Sequence, residues 1–168
     1  WINSPIRIVN EKIYFSTSES GKGYANITNG SFGTKTVLYE LDINGGNRKE
    51  ILTDNFRSFC IRPDGDFIYS KDLRNSYGSQ LWSWKNSELK LLGDLSIQIS
   101  EMISKDDRIF LVGRSYNNHF NIFELNINDM SVTHITDNAW TETELNVYNN
   151  MLIYTANYER TVALYGYD

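Results

Sequence analysis

Apolar residues in this chain come in short runs, broken by polar steps rich in Asn, Gly and Asp. No stretch repeats apolar residues at the i, i+3, i+4, i+7 spacing of an amphipathic helix. The nearest approach, Leu89 to Met102, is interrupted by Gly93-Asp94 and carries Ser and Ile residues that disfavour helix. The runs are of strand length, and the residues between them tolerate turn backbone.

The runs repeat. A Leu or Ile, an aromatic, any residue, then an apolar or aromatic residue occurs as Leu38-Tyr39-Glu40-Leu41, Leu81-Trp82-Ser83-Trp84, Ile122-Phe123-Glu124-Leu125 and Leu164-Tyr165-Gly166-Tyr167, at separations of 43, 41 and 42 residues. A turn followed by an apolar strand keeps the same beat. Its strands begin at Ile13, Phe67, Ile109 and Leu152, separated by 54, 42 and 43 residues. The long first interval reflects an insertion between Tyr14 and Leu38. Two independent patterns with one period define a structural repeat.

Each unit reads as four antiparallel strands. The first holds Ile6–Ile8, Ser58–Arg62, Glu101–Ser104 or Glu144–Val147. A tight turn such as Asp64-Gly65 leads to the apolar second strand, because that pair accepts positive φ. The aromatic tetrad is the third strand. The fourth is Lys49–Thr53, Glu88–Leu92 or Ser131–Thr136. Four strands in some forty residues is the period of a β-propeller blade. Neighbouring blades cover both faces, so the second strand is nearly continuous in its hydrophobicity. The fold class is therefore all-β, one propeller segment with blade units near 1–53, 54–94, 95–136 and 137–168, the last incomplete. Propellers close with about four to eight blades. The expectation is a segment of a larger ring, the alternative being completion by another chain.

Composition narrows the function classes. The net charge of −5 and pI near 5.1 disfavour nucleic acid as a partner. The 40% apolar and 22% charged content is that of a folded domain. No apolar run is long enough to span a membrane. The single Cys60 forms no internal disulfide and reads as a buried thiol.

At Leu38-Tyr39-Glu40-Leu41-Asp42, Gly45-Gly46, Ile51-Leu52-Thr53 and Arg62-Pro63-Asp64-Gly65-Asp66-Phe67-Ile68-Tyr69 the chain resembles the TolB-type, WD-repeat-like propeller family. Other junctions depart from it: Lys105-Asp106-Asp107 and Tyr148-Asn149-Asn150 replace the Pro-Asp-Gly turn, while His134-Ile135-Thr136-Asp137 keeps a Leu-Thr-like step. The resemblance covers essentially the whole chain as architecture. It implies a periplasmic or secreted setting, and either a binding scaffold or a propeller fused to a serine peptidase of the prolyl-oligopeptidase type.

No catalytic residues are expected. His119 falls in a loop and His134 on an outer strand, and no His-Glu-x-x-His, Gly-x-Ser-x-Gly or phosphate-loop pattern is present. Asp106-Asp107 reads as a turn, and Asp42-Ile43-Asn44-Gly45-Gly46-Asn47 lacks the ending of a calcium loop. No metal or cofactor is expected. A metal-dependent lyase would need a histidine cluster that the sequence does not offer.

Binding is expected on the face formed by the loops after the second and fourth strands, where rigid blades hold variable loops. The first set spans Ser16–Thr36, Lys71–Gln80, Arg114–Asn121 and Asn157–Ala163. Tyr, Trp and Arg combine large contact area with hydrogen-bonding ends. The candidate ligand-binding residues are Tyr24, Arg57, Arg74, Tyr77, Arg114, Tyr116, His119, Trp140, Tyr158 and Arg160. The 16–36 insertion also holds Asn26-Ile27-Thr28 and Asn29-Gly30-Ser31, formal glycosylation acceptors. The expected partner is a protein or carbohydrate ligand, together with further blades from a parent chain or another chain. The expected function is a non-enzymatic scaffold, the alternative an accessory domain of a hydrolase.

Overall fold

The computed structural model describes residues 6–19, 35–116, 119–158 and 161–167, with the backbone alone for 18, 19, 35, 158, 161 and 162. Every regular element among them is a β-strand. The first sheet contains β1 (Arg7–Val9), β2 (Lys12–Glu19), β3 (Lys35–Asp42) and β4 (Lys49–Asp54). The second contains β5 (Ser58–Ile61), β6 (Phe67–Asp72), β7 (Ser79–Lys85) and β8 (Glu88–Leu95). The third contains β9 (Gln98–Lys105), β10 (Arg108–Arg114), β11 (Asn121–Asn126) and β12 (Ser131–His134). The fourth contains β13 (Thr141–Tyr148), β14 (Met151–Tyr158) and β15 (Thr161–Tyr167). Each sheet is an antiparallel meander in chain order, as the repeat predicts. We number these sheets as blades 1 to 4.

The strands outrun the expected loops. Pairing in blade 1 continues to Glu19 opposite Lys35, and in blade 4 to Tyr158 opposite Thr161. The described ends of the Ser16–Thr36 and Asn157–Ala163 segments are therefore strand, and residues 20–34 and 159–160 between them lie outside the described residues. Ser and Thr suit a paired, pleated surface, so polar composition here does not mark a loop. The Asn26 and Asn29 acceptors lie outside the described residues.

The turns explain the asparagine content. Asn10 and Glu11 (φ 49° and 59°), Asn86 and Ser87 (52° and 65°), and Asn149 and Asn150 (46° and 65°) each place two consecutive residues in the left-handed region. That is the backbone of a two-residue hairpin, whose twist matches that of the strands. Asn tolerates it where the repeat lacks Asp-Gly. At Asp42–Asn47 the backbone closes a hairpin turn, with Gly45 N–H donating to Asp42 O at 2.8 Å.

The chain divides into two compact units, Trp1–Phe56 and Arg57–Asp168. In the first, Tyr14, Val37, Leu38 and Tyr39 are buried. Phe15 stacks on Tyr39 at 5.5 Å, and the Arg48 guanidinium lies 4.0 Å from the Tyr39 ring centre. Burial, then a 3.0 Å hydrogen bond to Glu40, pushes the Tyr14 phenol up to about 12.

In the second unit, blades pack face to face along two apolar seams. Cys60, Ile68 and Leu81 of blade 2 meet Ile99, Met102, Leu111 and Phe123 of blade 3. Ile103, Phe110, Val112 and Ile122, on the other face of blade 3, meet Leu145 and Leu152 of blade 4. Alternation along β10 and β11 sends neighbouring residues to opposite seams. This is why β10 is apolar from Ile109 to Val112 and β11 at Ile122, Phe123 and Leu125. Cys60 is 1% exposed, a core residue of the first seam.

Candidate functional site

Within Arg57–Asp168, the loops following β6, β10 and β12 belong to one end of the blades, and they carry most of the candidate binding residues that are described. On the seam between blades 2 and 3, Tyr77 and Tyr116 meet edge to face at 5.6 Å. The Tyr77 hydroxyl reaches across the seam to the carbonyl oxygens of Arg114 at 2.8 Å and Ser115 at 3.2 Å. The Arg114 guanidinium donates to Gln98 Oε1 at 3.0 and 3.1 Å and lies 5.0 Å from the Phe120 ring centre.

Gly78 fixes the loop that presents Tyr77. Its φ is +135°, and a Cβ there would sit 2.2 Å from the Leu95 carbonyl oxygen. Its own carbonyl accepts the Leu73 N–H at 3.2 Å, closing the loop on itself.

The other candidates divide by role. Arg57 pairs with Asp72 at 3.0 Å, within its own blade. Tyr116 is 70% exposed, and Arg74 and His119 are exposed. Trp140 tilts against Tyr165 at 5.6 Å on the blade 3–blade 4 seam, apart from the Tyr77 cluster. Tyr24, Arg160 and the Tyr158 side chain lie outside the described residues. The geometry thus joins Tyr77, Arg114 and Tyr116, and seats Trp140 in a second group.

Sequence reasoning passed over four members of these groups. Phe120, Gln98 and Tyr165 sit at strand ends or within the aromatic tetrad, where they read as core or edge. The fourth is Glu142, fully buried at the second position of β13. The expected strand began at Glu144, which left Glu142 in a loop. Its position between Trp140 and the apolar Leu145 was the available signal.

The opposite end of the blades differs in character. A half-open depression of about 510 Å³ lies between blades 2 and 3, with Arg62, Asp107, Arg108 and Glu124 on its wall. Arg108 binds Glu124 in a fork, both contacts at 2.7 Å. That pairing raises the guanidinium and lowers the carboxylate from their ordinary values. Arg62 sits 3.8–3.9 Å from Asp64, Asp66 and Asp107. These charges are matched within the protein. Among the described residues, no group of three or more His, Cys, Asp or Glu side chains is placed to hold a metal ion. No described helix is long and apolar enough to cross a membrane.

No protein-family model matches the sequence, and no curated protein matches it. Solved structures match its fold. The chain is similar over 100% of its length to the Pyrococcus horikoshii acylaminoacyl peptidase, at TM-score 0.69 and 18% identity, covering 31% of that chain. Over 98% it is similar to the β-propeller domain of the Trilobed protease from Pyrococcus furiosus, at TM-score 0.60 and 11% identity, covering 49% of that chain. Over 95% it is similar to TolB from Acinetobacter baumannii, at TM-score 0.57 and 16% identity, covering 41% of that chain. The fold is a TolB-like β-propeller. The chain spans less than half the length of each of these structures.

Proposed function

We propose that this chain is a non-enzymatic propeller scaffold that binds a protein or glycan ligand on its loop face. The observation that carries the reading is the Tyr77–Arg114–Tyr116 cluster. Tyr77 is fastened across a blade seam and holds beside it a Tyr116 ring that is largely in solvent. A pre-positioned, exposed aromatic adjoining an arginine is what an interaction hot spot requires, since little side-chain freedom is lost on contact. The matched charges at the opposite end support placing the ligand at the loop end.

The test uses the intact chain on arrays of extended peptides and of oligosaccharides. Replacing Arg74, Tyr116 and His119 together by Ala removes exposed side chains and leaves the buried apolar residues of both seams in place. Loss of array binding with an unchanged melting temperature supports the reading. Unchanged binding refutes it.

A second reading is favoured by the similarity to the acylaminoacyl peptidase and to the Trilobed protease propeller. In it the chain is the propeller part of a larger hydrolase, and the loop face gates access to a catalytic domain elsewhere. The full reading frame decides: a serine hydrolase domain in the same frame supports this reading, and a frame of propeller repeats alone removes it.

A further inference from the structure

Blade 2 ends, on its outer side, in an open strand. β8 is the last strand of its sheet, so one edge pairs with β7 and the other carries no strand among the described residues. The fourth strands of blades 1 to 3 differ at this edge. β12 has four residues, Ser131–His134, and neither it nor β4 has an exposed large apolar side chain. β8 has eight residues, and its Leu89 and Leu91 are 48% and 46% exposed. Natural sheets shorten, charge or cover such an edge, because its free N–H and C=O groups are a template for another strand. The far half of β8 is covered: Met130, in the turn between β11 and β12, stands against Gly93, its Cγ 3.1 Å from where a Cβ would be. The near half, Glu88 to Leu91, is exposed at all four residues.

The hairpin before β8 sets which backbone groups face outward. Asn86 and Ser87, both at positive φ, form a two-residue turn between Lys85 and Glu88, which lie opposite each other. In such a hairpin the flanking pair exchanges both backbone hydrogen bonds. Glu88 and Lys90 therefore turn their groups toward β7, while Leu89 and Leu91 turn theirs outward. A second β8, antiparallel about a two-fold axis, can meet this stretch in three registers. Leu89 opposite Leu89 sets Glu88 of each copy directly opposite Lys90 of the other. Leu89 opposite Leu91 sets Lys90 against Lys90, a like-charge pair. Leu91 opposite Leu91 centres the pairing beside Leu92, the extra residue at which the β7–β8 register shifts. The first register alone joins opposite charges, and directly opposed charges favour or disfavour a register in this way. Glu88 and Lys90 are exposed and make no ion pair with another described residue.

We propose that this chain pairs with a second copy of itself through β8, antiparallel about a two-fold axis, with Leu89 opposite Leu89 and Glu88 opposite Lys90. Two backbone hydrogen bonds join the Leu89 residues. Two ion pairs form on one face of the joined sheet, and the Leu89 side chains meet on the other. The contact is isologous, one patch serving both copies. It is small and belongs to the class of transient interfaces. It goes beyond the loop-face reading, since none of the residues named there takes part.

The experiment is sedimentation equilibrium of the intact chain from about 10 μM to about 1 mM. The expected result is a monomer–dimer equilibrium. In Lys90→Glu or in Glu88→Lys both charge pairs become repulsive, and the dissociation constant should rise about tenfold or more. The double variant, Glu88→Lys with Lys90→Glu, exchanges the charges and should restore the wild-type value. Hydrogen exchange reads the backbone. The Leu89 amide should gain protection as concentration rises, while the Lys90 amide, already bonded to β7, stays constant. A monomer at every concentration overturns the proposal. So does a dimer that ignores the single reversals, or one that the double variant fails to restore. A dimer whose Leu89 amide exchanges at the same rate at all concentrations also overturns it, because the contact then lies elsewhere. If a variant does not fold, the Leu89 amide of the wild type decides alone.

Discussion

Glu101 and Glu144 occupy corresponding strands of adjacent blades, and the carboxylate of the first accepts the backbone N–H of the second at 2.9 Å. Its other oxygen accepts the N–H of Leu145 at 3.0 Å. The register of β13 against β14 shifts at this point, and Glu144 sits at φ +56°. An irregular strand leaves N–H groups without ladder partners, and one side chain from the next blade satisfies two of them. The inner strands of blades 3 and 4 are thereby fastened by polar contacts as well as by the apolar seam.

Replacing Glu101 by Ala strands the Leu145 N–H at a partly buried site and leaves the Glu144 N–H to solvent. The expected loss is about 1.5–3 kcal/mol, the range of one charge-assisted bond, since water can replace the exposed one. Urea unfolding measures it. Glu101→Gln keeps one good acceptor and loses less. A loss under about 0.5 kcal/mol in the Ala variant, the range of a neutral surface substitution, would show that the clamp does not matter.

Gly78→Ala is expected to destabilise by about 2 kcal/mol or more, because the new Cβ meets backbone and the φ suits only glycine. The same variant displaces Tyr77, so its fluorescence-detected melting and its array binding fall together. Retained stability would mean that the loop relaxes without consequence.

Tyr77→Phe removes the hydroxyl that bridges the seam and costs about 1 kcal/mol. Tyr116→Ala, by contrast, stays within about 0.5 kcal/mol of wild type, because its ring is mostly in solvent. Calorimetry on the two variants separates the fastening tyrosine from the presenting one. An equal effect of both contradicts that division of roles.

The acid at the blade 3–blade 4 seam gives a pH signature. Burial raises the folded-state value of Glu142 above its ordinary 4.5. The folded protein therefore favours the protonated form, and this contribution is present below the unfolded value and is lost as pH rises through the folded one. Asp42, Asp64, Glu124 and Asp129 act in the opposite direction. Hydrogen bonds from Lys12, Lys85, Arg108 and Ser131, in that order, lower them, so they add stability that is lost in acid. Comparing wild type with Glu142→Gln cancels these shared effects. The Gln variant should gain relative stability steadily above about pH 4.5, because it removes a buried ionisable group. A difference that does not change with pH contradicts the burial of an ionisable group here.

The repeat was legible because one physical constraint recurs. β10 is flanked by a blade on each side, so Phe110-Leu111-Val112 stand out as a continuous apolar run, and Ile68-Tyr69 by the same pattern. Turns were legible at Asp64-Gly65 and at the Asn pairs, since few residues accept two consecutive positive φ values. Strand ends were less so, because β-pairing in blade 1 runs on through Ser16, Thr17 and Ser18, whose composition resembles a loop. The site was legible only in part. Tyr77, Arg114 and Tyr116 stand out in the sequence by residue type and loop position, and the structure brings them together. Glu142 was missed because what marks it is full burial, which is a property of three-dimensional neighbours.

The most direct test of the loop-face account is a map of amide chemical-shift changes on adding the strongest array ligand to the intact chain. The account predicts changes centred on Arg74, Tyr116 and His119, fading toward the turns at Asp64-Gly65 and Asp106-Asp107. Changes centred on those turns and on the Arg62–Arg108 depression, with the loop residues unmoved, would contradict it.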